Sequence, residues 1–248
     1  MLGRLVDKDF KLKYRRSALG VAWSLLSPVL SMVVMVAVFS TFMRYADPSI
    51  GNYPVYLILG NTAFSLMSEA TSTGMSSVIA AAPLLKKVRV SRIVFPLQKV
   101  LSAGLNYAFA LVAILLVMLF EGVPLTASAI WLLPAVLLLM LFSLGLSLLL
   151  SALSVFFRDV MHLWGVALTA WTYATPLFYP FSILPEGMQA AEALNPMYTY
   201  VTLIRDAMLW DATPDAGLWL SGVAAAAVSL AVGYAAFRKC ESRFILYI

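Results

Sequence analysis

Residues 130–159 read IWLLPAVLLLMLFSLGLSLLLSALSVFFRD, and no charged side chain interrupts the run until Arg158 and Asp159 close it. An α-helix rises about 1.5 Å per residue, so roughly 20 apolar residues cross the ~30 Å of hydrocarbon in a bilayer. This run is longer than that. It also lacks the polar face, recurring every turn, that a helix on the surface of a soluble domain would show. Its solvent is lipid.

Outward from that stretch the pattern repeats. The 248-residue chain is 62% hydrophobic and 12% charged, against about 25% charged in soluble domains. Apolar runs at 21–43, 53–73, 95–120, 130–156, 161–181 and 217–237 predict an all-α membrane protein with six transmembrane helices in one domain, 1–248. Turn chemistry separates them: Asp47-Pro48 with Gly51-Asn52, Glu121-Gly122 with Pro124, and Arg158-Asp159.

The basic residues fix the orientation. Arg4 to Arg16 precede the first run, and Lys86, Lys87, Arg89, Arg92 and Lys99 lie at the loop after the second. Arg158 follows the fourth, and Arg238, Lys239 and Arg243 follow the sixth. Only Arg44 and Arg205 fall on the other side. The positive-inside rule therefore predicts a multi-pass protein of the cytoplasmic (inner) membrane with both termini cytoplasmic. It also accounts for the net charge of +5 without nucleic acid. The first apolar run is too long for a signal-peptide core, so no cleavable leader is expected.

Catalytic chemistry is sparse. Cys240 is the single cysteine, which excludes a disulfide framework and a cysteine metal site, and His162 is the single histidine. No metal site is expected. No Gly-Lys-Ser/Thr tripeptide occurs, so the chain carries no P-loop. Asp7-Lys8-Asp9 imitates the DxD of glycosyltransferases, but its central cation and lipid-interface setting mark a coincidence. The chain is not expected to be an enzyme, nor to bind a cofactor itself.

Three segments do not span. In 1–20, Arg4, Lys8, Lys11 and Arg15 form one helical stripe with Leu2, Leu5, Val6, Phe10 and Leu12 opposite, an amphipathic helix lying among membrane lipids. It is a lipid anchor, or its Lys13, Arg15 and Arg16 meet a phosphate-bearing substrate. The loop 83–96, PLLKKVRVSRIVFP, mixes Leu84, Leu85, Val88 and Val90 with cations between two prolines. It is an ordinary positive-inside loop or a short piece that docks in a groove of a soluble partner. The stretch 182–216 holds two short helical pieces, roughly 186–194 and 197–210, divided at Pro185 and at Asn195-Pro196, which dip into the outer leaflet or cap a cavity; the alternative is an inert outer loop.

Within the spans, Ser143, Ser147 and Ser151 form one small-residue ridge, and Ser221, Ala225, Ser229 and Gly233 another. Such ridges pack helices closely, inside one subunit or across a dimer. Trp164, Trp171 and Phe178 recur every seven residues, with Tyr173, Tyr179 and Phe181 towards the outer end. They suit the wall of a sugar channel, on which sugar rings stack, or an interfacial aromatic belt. Glu69 is a membrane carboxylate, hence a functional candidate or a polar cap.

KYRRSALGVAWSLLSPVL (13–30), FFRDVMHLW (156–164), TYATPLFYPFSILPE (172–186) and LNPMYTYVTLIRDAMLW (194–210) resemble ABC-2 type permeases that export polysaccharides, O-antigen and teichoic acid among them. The resemblance covers nearly the whole chain. It implies a homodimeric pore with one cytoplasmic ABC ATPase per subunit, two per complex, ATP and Mg being bound there. The substrate implied is a polyprenyl-diphosphate-linked glycan. It further implies a substrate gate at Lys13, Tyr14, Arg15, Arg16 and Trp23. A coupling helix over 84–92 would dock in the ATPase through Leu84, Leu85, Lys86, Lys87, Val88, Arg89 and Arg92. Outer re-entrant helices would include Pro185, Asn195, Pro196 and Tyr198. The related alternative is an ABC-2 exporter of small hydrophobic drugs or lipids. An integral-membrane glycosyl- or phosphotransferase is a further alternative.

Overall fold

A computed structural model describes residues 22–43, 50–88 and 90–247, together with Gly3, Val6 and Gly20. Apart from those three, the amphipathic helix expected at 1–20 lies outside the described residues. So do Lys13, Tyr14, Arg15 and Arg16 of the expected gate, and Arg89 of the basic loop.

The described residues are helical, with no strand among them. In chain order they form α1 (Ala22–Met43), α2 (Tyr53–Ala80), the one-turn α3 (Ala82–Leu85), α4 (Val94–Phe120) and α5 (Leu132–Phe156). These are followed by α6 (Val160–Ala174), α7 (Glu186–Glu192), α8 (Pro196–Met208), α9 (Ala216–Glu241) and α10 (Phe244–Tyr247). Single 3₁₀ turns occupy Ala127–Trp131 and Phe181–Ile183. Helix starts follow local chemistry. Asn52, Asn195 and Asp215 each accept a hydrogen bond from a backbone N–H of the first turn of α2, α8 and α9. A proline stands in the first turn of α2 and of α8, where its missing N–H costs nothing.

Among the described residues, three helical stretches are both long and apolar enough to cross a membrane: Val94–Phe120, Ala127–Phe156 and Ala216–Glu241. A shorter apolar stretch, Leu25–Val38, lies in α1. The 28-residue α2 is as long but more polar, and its position explains that. It packs against α1, α4, α5, α6 and α8, so most of its surface faces protein rather than lipid.

Two close crossings hold the bundle. A Cβ added to Gly145 of α5 would lie 2.2 Å from the Ser229 carbonyl carbon, and one on Gly233 of α9 would lie 2.0 Å from the Gly145 oxygen. Ser229 Oγ donates to the Phe142 carbonyl across the same crossing at 2.8 Å. A Cβ on Gly74 of α2 would likewise strike Ser147 of α5. Both small-residue ridges therefore pack inside the subunit.

α9 runs on to Glu241, four residues past the expected end at 237, and three other boundaries depart further from the sequence reading. α2 continues to Ala80, because Thr71, Gly74 and Ser77 are buried against neighbours instead of ending the span. α6 stops at Ala174 rather than 181. Thr175 takes extended geometry (ψ 135) ahead of Pro176, whose ring disfavours a helical predecessor. Its 15 residues reach only ~22 Å. Among the described residues of the coupling helix expected over 84–92, helix is confined to Ala82–Leu85, and Lys86 to Val88 form a turn and bend. The β-branched Val88 and Val90 favour no continuation there.

Candidate functional site

The basic ends of the helices converge. Leu85 and Phe95, flanking the basic loop, share a buried cluster with Val155 at the end of α5 and with Phe237 and Phe244 of the carboxyl-terminal segment. The Phe237 and Phe244 rings meet edge to face at 5.2 Å. Arg92 donates to the Glu241 carbonyl, and Arg238 pairs with the Glu241 carboxylate. The loop expected to meet a partner is thus fastened to the ends of α5 and α9. Leu84 and Val88 remain exposed, at 39% and 51%.

At the opposite end the chain from Thr175 to Pro180 runs through the protein without helix, and Leu177 is fully buried. Buried carbonyls need donors, and side chains of α2 and α8 supply them. Tyr53 Oη donates to the Phe178 carbonyl at 2.8 Å, and Tyr56 Oη donates to those of Pro176 and Tyr179 at 3.0 and 2.8 Å. Arg205, 2% exposed, donates to Pro176 (2.9 Å), Leu177 (3.1 Å) and the Tyr56 carbonyl (3.2 Å). Its guanidinium also lies 3.4 Å from the centre of the Tyr56 ring. Gly60 leaves the room this needs, since a Cβ there would stand 2.5 Å from an Arg205 nitrogen. Sequence reasoning placed Arg205 merely on the outer side. Its partners lie far away in the chain, so no local spacing announced them.

Asn195 ties the two short helices to α6. Its Oδ1 accepts from the Met197 N–H at 3.0 Å and from Trp171 Nε1 at 2.8 Å. Its Nδ2 donates to Thr175 Oγ1 at 3.0 Å and to Glu192 at 2.8 Å. Pro185 precedes α7, Pro196 opens α8, and Tyr198 stacks on Phe181 at 4.9 Å. Burial raises the Glu192 carboxyl's pKa, opposed by the Asn195 hydrogen bond. Burial also pushes Asp206, near the end of α8, up to about 6.

The five aromatic residues read as channel lining divide. Trp164 and Trp171 meet edge to face at 6.3 Å. Their indoles are already committed within the subunit, Trp164 donating to Thr71 Oγ1 at 3.1 Å. Phe178 is buried in the core. Tyr179 Oη donates to the Tyr173 and Ala174 carbonyls at 2.8 Å each, closing the end of α6. Tyr173 stands exposed at 68%, on a face shared with Leu163 and Val166.

A cavity of about 340 Å³ opens between α1, α2 and α4. Asn61, Ser65 and Glu69 face it from α2 at every fourth position, and Trp23, Ser27 and Ser31 from α1 at the same spacing. Asn106 and Tyr107 close it from α4. Asn106 Nδ2 donates to Glu69 Oε1 at 2.8 Å. Trp23, of the expected gate, stands at the rim, 42% exposed. Glu69 was visible in the sequence. Asn106 and Tyr107 were not, although the two fourfold polar series could have marked the face they complete.

These features define a helical membrane protein with a fastened basic loop, irregular backbone held at the opposite end by buried side chains, and a cavity of mixed polar and apolar lining between α1, α2 and α4. The ABC-2 type transporter family matches residues 2–209, and the chain belongs to that family. It is 33% identical over 246 residues to the O-antigen export system permease protein RfbA of Myxococcus xanthus, covering 98% of this chain and 92% of the relative. A Klebsiella pneumoniae protein of the same name is 27% identical over 245 residues, covering 97% and 92%. The capsule polysaccharide export inner-membrane protein CtrC of Neisseria meningitidis is 24% identical over 199 residues, covering 79% and 74%.

Proposed function

We propose that this chain is the permease subunit of an ABC exporter that carries a lipid-linked polysaccharide outward across the cytoplasmic membrane. The observation that carries the reading is the near full-length similarity to O-antigen export permeases. On this reading ATP and Mg belong to a separate cytoplasmic ABC ATPase, one bound to each subunit of a homodimer. The chain contributes no catalytic residue.

The topology has six transmembrane helices and both termini inside. Positive-inside charge supports it. α6, too short to span by itself, completes its crossing through the 175–180 segment. Irregular backbone at membrane depth is tolerated where protein covers it, and the Arg205, Tyr53 and Tyr56 bonds supply that cover. α7 and α8 are the outer re-entrant helices. Among the α8 residues Met197, Tyr200, Leu203 and Ile204 are fully buried, which supports a helix set into the bundle.

The loop 82–92 is the ATPase contact. Exposed Leu84 and Val88 meet the partner's groove, while Leu85 and Arg92 pass its displacement to α5 and α9. The amino-terminal segment with Lys13, Tyr14, Arg15, Arg16 and Trp23 gates the polyprenyl-diphosphate end of the substrate. The glycan passes the exposed face of α6, where Tyr173 is accessible.

Co-expression with candidate ABC ATPases, followed by purification on a tag carried by this chain, tests the assignment. Recovery of a nucleotide-binding partner at equal stoichiometry is expected. Glycan export by the chain with no ATPase present would overturn the reading.

A further inference from the structure

We propose that the cleft between the basic loop and the basic end of α9 is a binding site for the phosphate of an anionic membrane lipid, held by Ser91, Arg92 and Arg238. The leaflet that supplies the lipid, the inner one, rests on the proposed topology, while the phosphate chemistry rests on the cleft itself.

The cleft holds about 430 Å³, within the range of small-ligand sites. Ser91 and Arg92 line it from the loop and Arg238 from α9, so a ligand there touches both elements. Among the described lining residues two cations face one anion, and the Glu241 carboxylate is already paired with Arg238. Arg92 spends a guanidinium N–H on the Glu241 carbonyl. A guanidinium carries five such donors, so these two bonds leave others for a ligand. The Arg238 side chain is 58% exposed, and Ser91 is exposed as well.

Depth points to lipid. From Trp219 to Arg238 α9 rises roughly 28 Å, with no charged residue between them, and the hydrocarbon of a bilayer is ~30 Å thick. Arg238 therefore stands at the level of the lipid headgroups. Its guanidinium lies 5.9 Å from the centre of the Tyr234 ring, one turn back along α9. An interfacial aromatic with a cation reaching past it towards water is the expected arrangement at that level.

The lining selects the ligand. A lipid phosphate offers acceptors alone, which guanidinium groups meet with charge-assisted hydrogen bonds. Leu85, Val88 and Val90 form an apolar wall that suits the first methylenes of a lipid and gains nothing from a free phosphate. An acidic segment of a protein partner would meet the same cations, but anionic headgroups already stand at this depth without being recruited. A lipid phosphate held by Arg92 and Arg238 adds to the tie between loop and α9 that passes through Glu241. Val88 belongs both to this wall and to the proposed ATPase contact, so the two meet at one edge of the loop.

The test uses the full chain with its ATPase in phosphatidylcholine nanodiscs doped with phosphatidylglycerol or with diacylglycerol of the same acyl chains. Native mass spectrometry after release from the disc reads the lipid retained. Phosphatidylglycerol should be retained saturably and in preference to the other two. Arg238→Gln should weaken that retention about fivefold, and Ser91→Ala should weaken it less. Arg158→Gln removes an exposed cation from the same end but outside the cleft, and should leave retention unchanged. If Arg238→Gln fails to fold, Arg238→Lys, which loses the planar fork, and Ser91→Ala carry the comparison. Equal loss in Arg158→Gln, or no preference for phosphatidylglycerol, overturns the proposal. Displacement of the lipid by inorganic phosphate at equal concentration assigns the cleft to a soluble phosphate and overturns the lipid source. Retention unchanged in Arg238→Gln while ATPase recovery falls assigns the cleft to an acidic segment of the ATPase, and overturns it too. ATPase recovery and glycan-stimulated ATP hydrolysis are measured on the same samples. Their persistence without lipid preference strikes this site alone, and their absence in the wild type strikes the export reading.

Discussion

The guanidinium of Arg205 stands 3.4 Å from the centre of the Tyr56 ring and donates to the Tyr56 carbonyl, joining α8 to α2 around the non-helical segment that follows α6. A buried cation is expensive unless its donors are used, and here both terminal nitrogens donate to buried carbonyls, the Pro176 oxygen being shared with Tyr56 Oη, while Nε has no partner.

Arg205→Lys should therefore behave as a severe change despite keeping the charge. A lysine ammonium cannot fan two nitrogens towards three carbonyls while lying flat on a ring. A loss of about 3 kcal/mol or more is expected, read as a much lower melting temperature of the purified protein. Tyr56→Phe keeps the ring and removes only the hydroxyl, and should cost about 1–3 kcal/mol. Equal, small effects from both would contradict the clamp.

The α5–α9 crossing predicts a sharp glycine contrast. Gly145→Ala and Gly233→Ala place a methyl group against backbone about 2 Å away, where no side chain can yield, and should cost upwards of ~2 kcal/mol. Gly165→Ala in α6, with nothing within 4 Å, should leave the melting temperature unchanged or raised, because alanine is the better helix former. Thermal melts of the three variants in one detergent decide it.

Fastening of the basic loop separates binding from coupling. Charge reversal at Lys86, Lys87 and Arg89 should reduce recovery of the ATPase. Arg92→Ala removes the tie to the Glu241 carbonyl without touching the exposed Leu84 and Val88. It should retain the ATPase but lower glycan export per ATP hydrolysed. Pull-down and transport assays on the same preparations distinguish the two results.

Asp206 supplies a pH signature. Its folded pKa of about 6 lies above its ordinary value of 3.8, so the folded protein holds that proton more tightly than the unfolded chain. The stability this gives is full below about pH 4 and is lost as pH rises through 6. Asp206→Asn should therefore melt higher than wild type at pH 7.5, and the difference should shrink steadily towards pH 4. A difference that grows on acidification would contradict the burial assigned to Asp206.

Long apolar runs were legible from sequence alone. The expected spans 95–120 and 217–237 became Val94–Phe120 and Ala216–Glu241, because hydrophobic length and flanking turns suffice where lipid is the neighbour. α2 was less legible at its end, since its polar face is covered by α5 and the sequence of α2 cannot show that cover. Hydrophobicity carried the fifth run to 181, although Thr175-Pro176 held the signal that stops the helix. Asn195 and Pro196 were correctly read as the divide between two short helices, but the four hydrogen bonds of Asn195 depend on residues from three elements. Arg205 owes its significance to its partners, and that appears only once the helices are assembled.

The most direct test of the account is ATP hydrolysis and glycan transfer in proteoliposomes that hold this chain with its cognate ABC ATPase and a defined polyprenyl-diphosphate-linked oligosaccharide. The account predicts hydrolysis stimulated by the lipid-linked glycan, and ATP-dependent appearance of the glycan on the membrane face opposite the ATPase. Transfer that proceeds without ATP, or hydrolysis stimulated by small hydrophobic drugs and indifferent to the glycan, would contradict it.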